Sequence, residues 1–188
     1  MNHLDQLISF IRTSEEIEID PSDREEIIKM IRPTIGMKTI PCEDKDIKVG
    51  QSKFGGKPDL PKDFTWPRAN GKPMLFCAQY NLSELTDLDK EDILPKKGFF
   101  HIFLALDEKG TGFSGMDHSF KFSFSEDENL VRTEFPNDLE DHHSFQPALI
   151  QYVEFYTIPD AENYKYFELQ EKYDDDLYDL FYQPLKNS

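Results

Sequence analysis

Few of the side chains that could act on a substrate occur in a pattern that a known reaction uses. Cys77 lies in the apolar run 74–78, and apolar surroundings raise the pKa of a thiol, which disfavours the reactive thiolate. Ser114 has no G-x-S-x-G nucleophile-elbow motif around it. The Gly-Gly-Lys segment at 55–57 lacks the spacing of a phosphate-binding loop and runs into Pro58 instead of a helix. The sequence therefore predicts no catalytic residue.

Two polar segments place histidines beside carboxylates, which zinc and similar ions accept as ligands. They are Asp117-His118 and Glu140-Asp141-His142-His143. Neither has the helical H-x-x-x-H spacing, and the run Asp174-Asp175-Asp176 lacks the spacing of a calcium loop. The sequence predicts no metal ion and no cofactor.

The charge is large, negative and unevenly distributed. The chain has 37 acidic and 21 basic residues, a formal net charge of −16. Residues 126–188 hold 16 of the acids and four of the basic residues. Such a surface repels phosphate groups, so neither nucleic acid nor a membrane is predicted as a partner. The charge serves solubility, or it forms a docking face for a basic protein to which Asp174, Asp175 and Asp176 would contribute.

The cellular setting follows from the N-terminus, the apolar segments and the cysteines. The first residues lack the basic and apolar regions of a signal peptide, and the apolar run 99–106 is shorter than the roughly 20 residues of a membrane span. Cys42 and Cys77 lie in unlike contexts and predict no disulfide. We expect a cytoplasmic protein with a single domain over residues 1–188; the oligomeric state is left open.

Two helices are predicted before any strand. Apolar residues at i, i+3, i+4 and i+7 over residues 4–11 indicate a one-faced helix. A second helix should begin at the sequence Ser22-Asp23-Arg24-Glu25, which matches a capping box, and end before Pro33.

Residues 41–73 are rich in glycine and proline and leave room for one short strand, at residues 47–49. A connection of this length should be packed down by its own side chains or be functional, with Phe54, Leu60, Phe64 and Trp66 as anchors.

Strands follow this loop. The apolar runs 73–80 and 98–106 are typical of central strands, and residues 119–125 alternate so that Phe120, Phe122 and Phe124 should form the buried face of a half-buried strand. Two further strands are expected at 130–135 and 150–158. An acidic C-terminal helix should begin at Asp174–Asp176 and place Tyr173, Leu177, Leu180 and Phe181 on one face. The predicted class is α+β: N-terminal helices, a mostly antiparallel sheet with a long packed Pro/Gly-rich loop, and a short acidic C-terminal helix.

Four sub-motifs in this loop and the strands after it occur in a specific order. They are Ser52-Lys53-Phe54-Gly55-Gly56-Lys57-Pro58-Asp59-Leu60-Pro61, then Trp66-Pro67, then the run from Pro73 to Leu82 with Ala78-Gln79-Tyr80-Asn81-Leu82 at its end, then Leu94-Pro95-Lys96-Lys97-Gly98. Over residues 20–110 the chain resembles the YwqG-like family, a bacterial domain family of unknown function. The resemblance implies an α+β fold and no reaction. Members are usually longer, so it also implies a shortened member or a diverged last third.

The motif residues are predicted to be chiefly structural. Glycines supply backbone with positive φ or close approach, and prolines stiffen an extended path. The structural residues are Gly55, Gly56, Pro58, Pro61, Pro67, Pro95 and Gly98. Gln79 can bond loop backbone groups and Asn81 can cap the turn that follows. If the motif binds a ligand or partner, Trp66, Gln79 and Asn81 should make the contacts.

Three hypotheses remain, of which the plainest is a structural domain, or a partial copy of the longer family fold whose function lay in the missing block. The other two are functional hypotheses of different classes. The first is a non-enzymatic protein-interaction domain with an acidic docking face, in one specific form an immunity- or inhibitor-like partner of a basic protein such as a nuclease toxin. The alternative is a small-molecule-binding or hydrolase-like protein with a pocket under the 41–73 loop. A cleft that contains Trp66 and Gln79 would favour the alternative, and close packing of both would count against it.

Overall fold

The computed structural model describes residues 2–15, 18–105, 120–139, 144–158 and 164–173. The chain forms two compact units, one from residues 1–36 and 154–188 and one from residues 37–153. Within the described residues, no helix has the length and apolar character needed to cross a bilayer.

The first unit has a helical core. It contains α1 (His3–Thr13), α2 (Pro21–Lys29) and α3 (Tyr164–Tyr173). The Asn2 side chain caps α1 by accepting a 2.8 Å hydrogen bond from the Asp5 N–H. The apolar residues of these helices and their connection pack into one buried cluster: Leu7, Ile11, Ile19, Ile27, Met30 and Tyr166. The apolar face predicted over residues 4–11 is confirmed.

The predicted capping box is wrong. The N-cap of α2 is Asp20, with Pro21 in the first turn, so Ser22 already lies inside the helix. Glu25 instead accepts two hydrogen bonds from Arg12, of 2.8 and 3.0 Å. Proline is well suited to the first helical position because it has no N–H to leave unbonded there.

Six strands in the described part of the chain form one mostly antiparallel sheet. Its members are β1 (Arg32–Pro41), β2 (Lys53–Phe54), β6 (Leu75–Asn81), β7 (Phe99–Leu104), β8 (Phe120–Ser125) and β10 (Ala148–Thr157), in the order β1-β10-β2-β6-β7-β8. The predicted apolar strands are confirmed as the adjacent, buried β6 and β7. The α+β class, the mostly antiparallel sheet and the short C-terminal helix are confirmed.

The 41–73 loop contains more regular structure than expected, but not at the expected place. Residues 47–49 form no strand; a 3₁₀ helix, Asp44–Asp46, precedes them. The regular structure consists of β2, β3 (Asp59–Pro61), β4 (Arg68–Ala69) and β5 (Lys72–Pro73). Each is two or three residues long, because the prolines and glycines between them end every run. β3 pairs with β9 (Leu130–Arg132), which places Asp59 opposite Arg132.

The phenylalanine face of β8 is not buried as predicted. Phe120, Phe122 and Phe124 keep 44%, 54% and 48% of their surface exposed. The alternation is real, but it shows only that one face of the strand is apolar. The core beside β7 includes Phe103, whereas the phenylalanines of β8 share the other face with Phe100, at 5.6 Å from Phe122 between ring centroids.

The structure describes a C-terminal helix, α3, over Tyr164–Tyr173. Tyr166 is its buried residue. Asp174, Asp175, Asp176 and the residues predicted to follow them on the helix lie outside the described residues.

Candidate functional site

Six polar side chains from separate parts of the second unit meet beneath the Gly-Pro loop. We call them the buried polar cluster: Asp44, Lys53, Asp59, Gln79, His101 and Arg132. Lys53, Asp59, Gln79 and His101 are completely buried, and the side chains of Asp44 and Arg132 are 27% and 21% exposed.

β2 directs Lys53 into the cluster. Its ammonium group donates to Asp44 Oδ1 at 3.1 Å and to the carbonyl oxygen of Lys57. The same carboxylate accepts the Lys57 N–H at 2.8 Å, so Asp44 ties the buried lysine to the Gly-Gly turn. Burial lowers the pKa of Lys53, and the nearby Asp59 and Asp44 oppose that shift.

Asp59 is the central acceptor of the cluster. Its Oδ1 accepts from Arg132 Nε at 2.5 Å, and its Oδ2 accepts from the Gly50 N–H at 3.0 Å and from Gln79 Nε2 at 2.8 Å. Arg132 also donates to the carbonyl oxygens of Asp44 and Ile47, at 2.7 and 2.9 Å. Two cations, Lys53 and Arg132, thus lie beside two anions, Asp44 and Asp59. Buried charges are tolerated only when each is paired and hydrogen-bonded, as these are.

β6 and β7 contribute the two neutral members. Gln79 Oε1 accepts from the Asp59 N–H at 2.7 Å, and its Nε2 also donates to the Gln51 carbonyl at 2.8 Å. His101 Nε2 lies 2.9 Å from the Asp59 carbonyl oxygen, which can only accept, so the ring proton is on Nε2. His101 Nδ1 is buried without a partner, and burial lowers the pKa of His101. The fold thus holds a neutral imidazole.

The Gly-Gly turn closes the loop over this cluster. Gly55 and Gly56 both have φ of +64°. A Cβ on Gly55 would lie 2.4 Å from the Gln146 carbonyl oxygen, and one on Gly56 would lie 2.4 Å from Asp44 Oδ1. Only glycine fits at either position, both for the backbone conformation and for the close approach.

The cluster has few groups available for chemistry. Nearly every polar atom is bonded inside the protein, and the four completely buried side chains have no access to a substrate. Cys77 is buried, and burial raises the pKa of its thiol to about 11, so it is a poor nucleophile. The arrangement can stabilise the loop, because breaking a buried ion pair typically costs about 3–5 kcal/mol.

The predicted contact residues do not share one surface. The Trp66 indole N–H donates to the Met74 carbonyl at 2.9 Å, and its ring packs edge-on against Phe103 and Phe135. Gln79 lies inside the buried polar cluster. Asn81 caps the 3₁₀ helix Leu82–Leu85 by accepting from the Ser83 N–H at 3.1 Å.

Asn81 also lines an open cleft of about 320 Å³. The other lining residues come from the 41–73 loop, the 3₁₀ helix Leu82–Leu85, the start of β7 with the turn before it, and the start of β9 with the segment before it: Val49, Gly50, Ser83, Lys97, Gly98, Phe99, Glu128 and Leu130. Neither Trp66 nor Gln79 belongs to it. The cleft thus brings together Asn81 and Gly98, from two of the sub-motifs, and the carboxylate of Glu128, which no sequence pattern had identified as a site residue.

The excess of acidic residues in the 126–188 segment is partly balanced by basic residues from earlier in the chain. Two acids of the 126–188 segment pair with basic residues earlier in the chain: Glu134 with Lys57 at 2.8 Å, and Asp138 with Arg68 at 2.7 Å. Glu126, Asp127 and Glu128, which we call the acidic loop, are all exposed. Within the described part of the chain, the one ion pair of this loop is Glu126 with Lys97, at 3.5 Å.

No metal centre occurs among the described residues: they contain no group of three or more His, Cys, Asp or Glu side chains that could hold an ion. Asp117-His118 and the Glu140–His143 segment lie outside them, as do Asp174, Asp175 and Asp176.

Fold and site together define an α+β domain in which the buried polar cluster holds the glycine-proline loop, residues 41–73, against an antiparallel sheet. The chain belongs to the family described as Domain of unknown function (DUF1963), whose family model matches residues 52–187. The match begins at the Ser52-Lys53 motif and continues past residue 110, where the resemblance noted from the sequence ended. No curated protein matches the chain.

Gln79 was the one member of the cluster that was predicted from the sequence as a site residue. Asp44 and Arg132 lie outside the motif block, and His101 was one more residue of an apolar strand. A signal was present for Lys53 and Asp59, since charged residues within a Pro/Gly-rich packed loop must find partners if they are buried. The partner of Asp59, 73 residues away, had no local signal.

Proposed function

We propose that this chain is a non-enzymatic protein-interaction domain of YwqG-like type that docks a basic protein in the cytoplasm through an acidic part of its exterior. The observation that carries the proposal is that polar side chains of the motif are buried and bonded inside the protein. Lys53, Asp59 and Gln79 are completely buried and bonded to one another or to backbone, so the motif builds the scaffold and the exterior is left to make contacts.

The acidic loop is the part of the described exterior that suits such contacts best. Asp127 Oδ1 accepts from the Asn129 N–H at 2.9 Å, which holds the loop in shape, and among the described residues only Glu126 of the three acids forms an ion pair, with Lys97 at 3.5 Å. The acids that follow, Glu134 and Asp138, are already paired. Complementary charge at such a loop would speed association with a basic protein and weaken as salt is added.

The free cysteines support an intracellular location. Cys42 and Cys77 form no disulfide, and stable disulfides mark oxidising compartments.

A charge-matched pair of variants tests the proposal. E126Q/D127N/E128Q neutralises the acidic loop, and D63N/D87N/E91Q removes the same three charges from exposed positions elsewhere in the second unit. Each variant and the wild type is immobilised, proteins are captured from an extract of the source cells at low and high salt, and the isoelectric points of the captured proteins are compared.

The wild type and the D63N/D87N/E91Q control should enrich basic proteins that salt releases, and the acidic-loop variant should lose most of that enrichment. Capture without basic bias, or equal loss in both variants, would contradict docking at this loop.

The hydrolase-like alternative gains no support from the residues on which it depended. Gln79 is completely buried with both ends of its amide bonded, and the Trp66 N–H is bonded to the Met74 carbonyl. Neither lines the cleft beside the 41–73 loop.

A further inference from the structure

The cleft of about 320 Å³ has one carboxylate and several apolar walls. Glu128, the last residue of the acidic loop, lies at its edge, and Val49, Phe99 and Leu130 supply apolar surface. The volume is near the lower end of the range of about 300–1,000 Å³ found for ligand pockets. It therefore suits one long side chain better than an extended ligand.

The hydrogen bonds at the cleft leave acceptors for an occupant that donates. Ser83 Oγ donates its proton to Asn81 Oδ1 at 2.7 Å, so the hydroxyl oxygen can only accept from a further partner. Asn81 Oδ1 also accepts from the Ser83 N–H, and one N–H of Asn81 Nδ2 donates to the Gly50 carbonyl at 2.9 Å. Asn81 thus holds the wall in place, and Ser83 Oγ and the Glu128 carboxylate can accept hydrogen bonds from an occupant.

Among the described residues that line the cleft, Lys97 is the cation, and its ammonium group lies 3.5 Å from the Glu126 carboxylate. It therefore has a carboxylate of its own in the acidic loop. Glu128 has no ion pair among the described residues, so its charge is available to a cation that enters from a partner.

We propose that the cleft receives an arginine side chain of the basic partner, which makes it the anchor point of the docking surface. The inference rests on the proposed function and specifies its chemistry. A guanidinium group offers five N–H donors in a planar fork and can bond several acceptors at once, such as Glu128 and Ser83, whereas the ammonium of lysine is a single compact charge. The methylene stem of arginine would lie along Val49 and Leu130, as long cationic side chains do on apolar surface.

A pair of small probes isolates the guanidinium. Nα-acetyl-arginine amide and Nα-acetyl-citrulline amide have nearly the same shape, but citrulline is uncharged. Each is titrated into the ¹⁵N-labelled full chain while backbone amide shifts are followed by NMR. Saturable shifts at Val49, Gly50, Ser83 and Glu128 with arginine, and none with citrulline, are the expected result.

Two single variants locate the charge. E128Q should weaken arginine binding roughly threefold to fivefold, as expected for a partly exposed ion pair, and D63N, which removes one exposed charge elsewhere in the second unit, should leave the Kd unchanged. Equal binding of citrulline, equal effects of D63N and E128Q, or shifts confined to the acidic loop would overturn the inference.

The two proposals can fail separately. If basic-protein capture depends on the acidic loop but arginine does not enter the cleft, the docking proposal stands and the arginine anchor falls. If arginine binds in the cleft but capture shows no basic bias, the cleft is an arginine site whose partner is not a basic protein surface, and the docking proposal falls.

Discussion

Replacement of Arg132 by methionine removes one cation from the buried polar cluster while keeping most of the side-chain bulk. Asp59 would then keep two donors, the Gly50 N–H and Gln79 Nε2, but lose the only cation that bonds its Oδ1, with its side chain still completely buried. The carbonyl oxygens of Asp44 and Ile47 would also lose their Arg132 donors.

The expected cost is large relative to the stability of a domain. Removing one partner of a buried ion pair costs about 3–5 kcal/mol because the remaining charge is left uncompensated, and whole domains are stable by about 5–15 kcal/mol. With a urea m-value of about 2 kcal/mol/M, a loss of about 4 kcal/mol lowers the unfolding midpoint by about 2 M. Equilibrium unfolding followed by the fluorescence of Trp66 and by far-UV circular dichroism measures this shift.

R68M is the matched control. Arg68 donates to both carboxylate oxygens of Asp138, at 2.7 and 3.1 Å, but these side chains are 44% and 56% exposed. An exposed pair contributes about 1 kcal/mol or less. If R132M lowers the free energy of unfolding by no more than R68M does, the cluster does not stabilise the loop and the reasoning fails.

A double variant covers the case in which R132M does not fold. D59N/R132M also removes the uncompensated negative charge, so it should recover part of the lost stability, and the two changes should be strongly non-additive because the side chains are in contact. A double variant no more stable than R132M would show that buried charge is not the cause.

Two further predictions concern the turn and the core histidine. Gly55→Ala should destabilise the protein more than Gly71→Ala. Both residues have positive φ, which costs alanine about 1–2 kcal/mol, but the new Cβ lies 2.4 Å from a carbonyl oxygen at position 55 and has nothing within 4 Å at position 71. Urea midpoints measure the difference, and equal losses of stability would contradict the close approach. Burial lowers the pKa of His101 in the folded protein, so the unfolded chain binds a proton on this imidazole more readily. The contribution of His101 to the free energy of unfolding is therefore present above the unfolded pKa of about 6.5 and is lost as the pH falls towards the folded pKa. H101Q should flatten the pH dependence of the unfolding midpoint below about pH 6.5, and an unchanged slope would exclude His101 as its source.

Periodicity was sufficient for elements whose environment is local. The residues of α1 repeat with helical spacing, and α1 buries Leu7 and Ile11; the continuous apolar runs became the central strands β6 and β7. Local sequence patterns were insufficient at the start of α2, where two signals for the beginning of a helix competed. A proline and an aspartate begin α2 two residues before the capping box, and the Arg12 side chain engages Glu25 instead.

The sequence alone determined that this chain has apolar strands, a glycine-proline loop that must pack, and an excess of acidic residues, because each of these depends on residue type and short-range spacing. Only the tertiary structure decided which charges are enclosed and which stay outside. Asp59 meets Arg132 because β3 pairs with β9 in one register, and the phenylalanines of β8 stay half-exposed on the sheet face away from the Phe103 core. Pairing between distant strands depends on how the whole sheet assembles, and no local pattern carries that information.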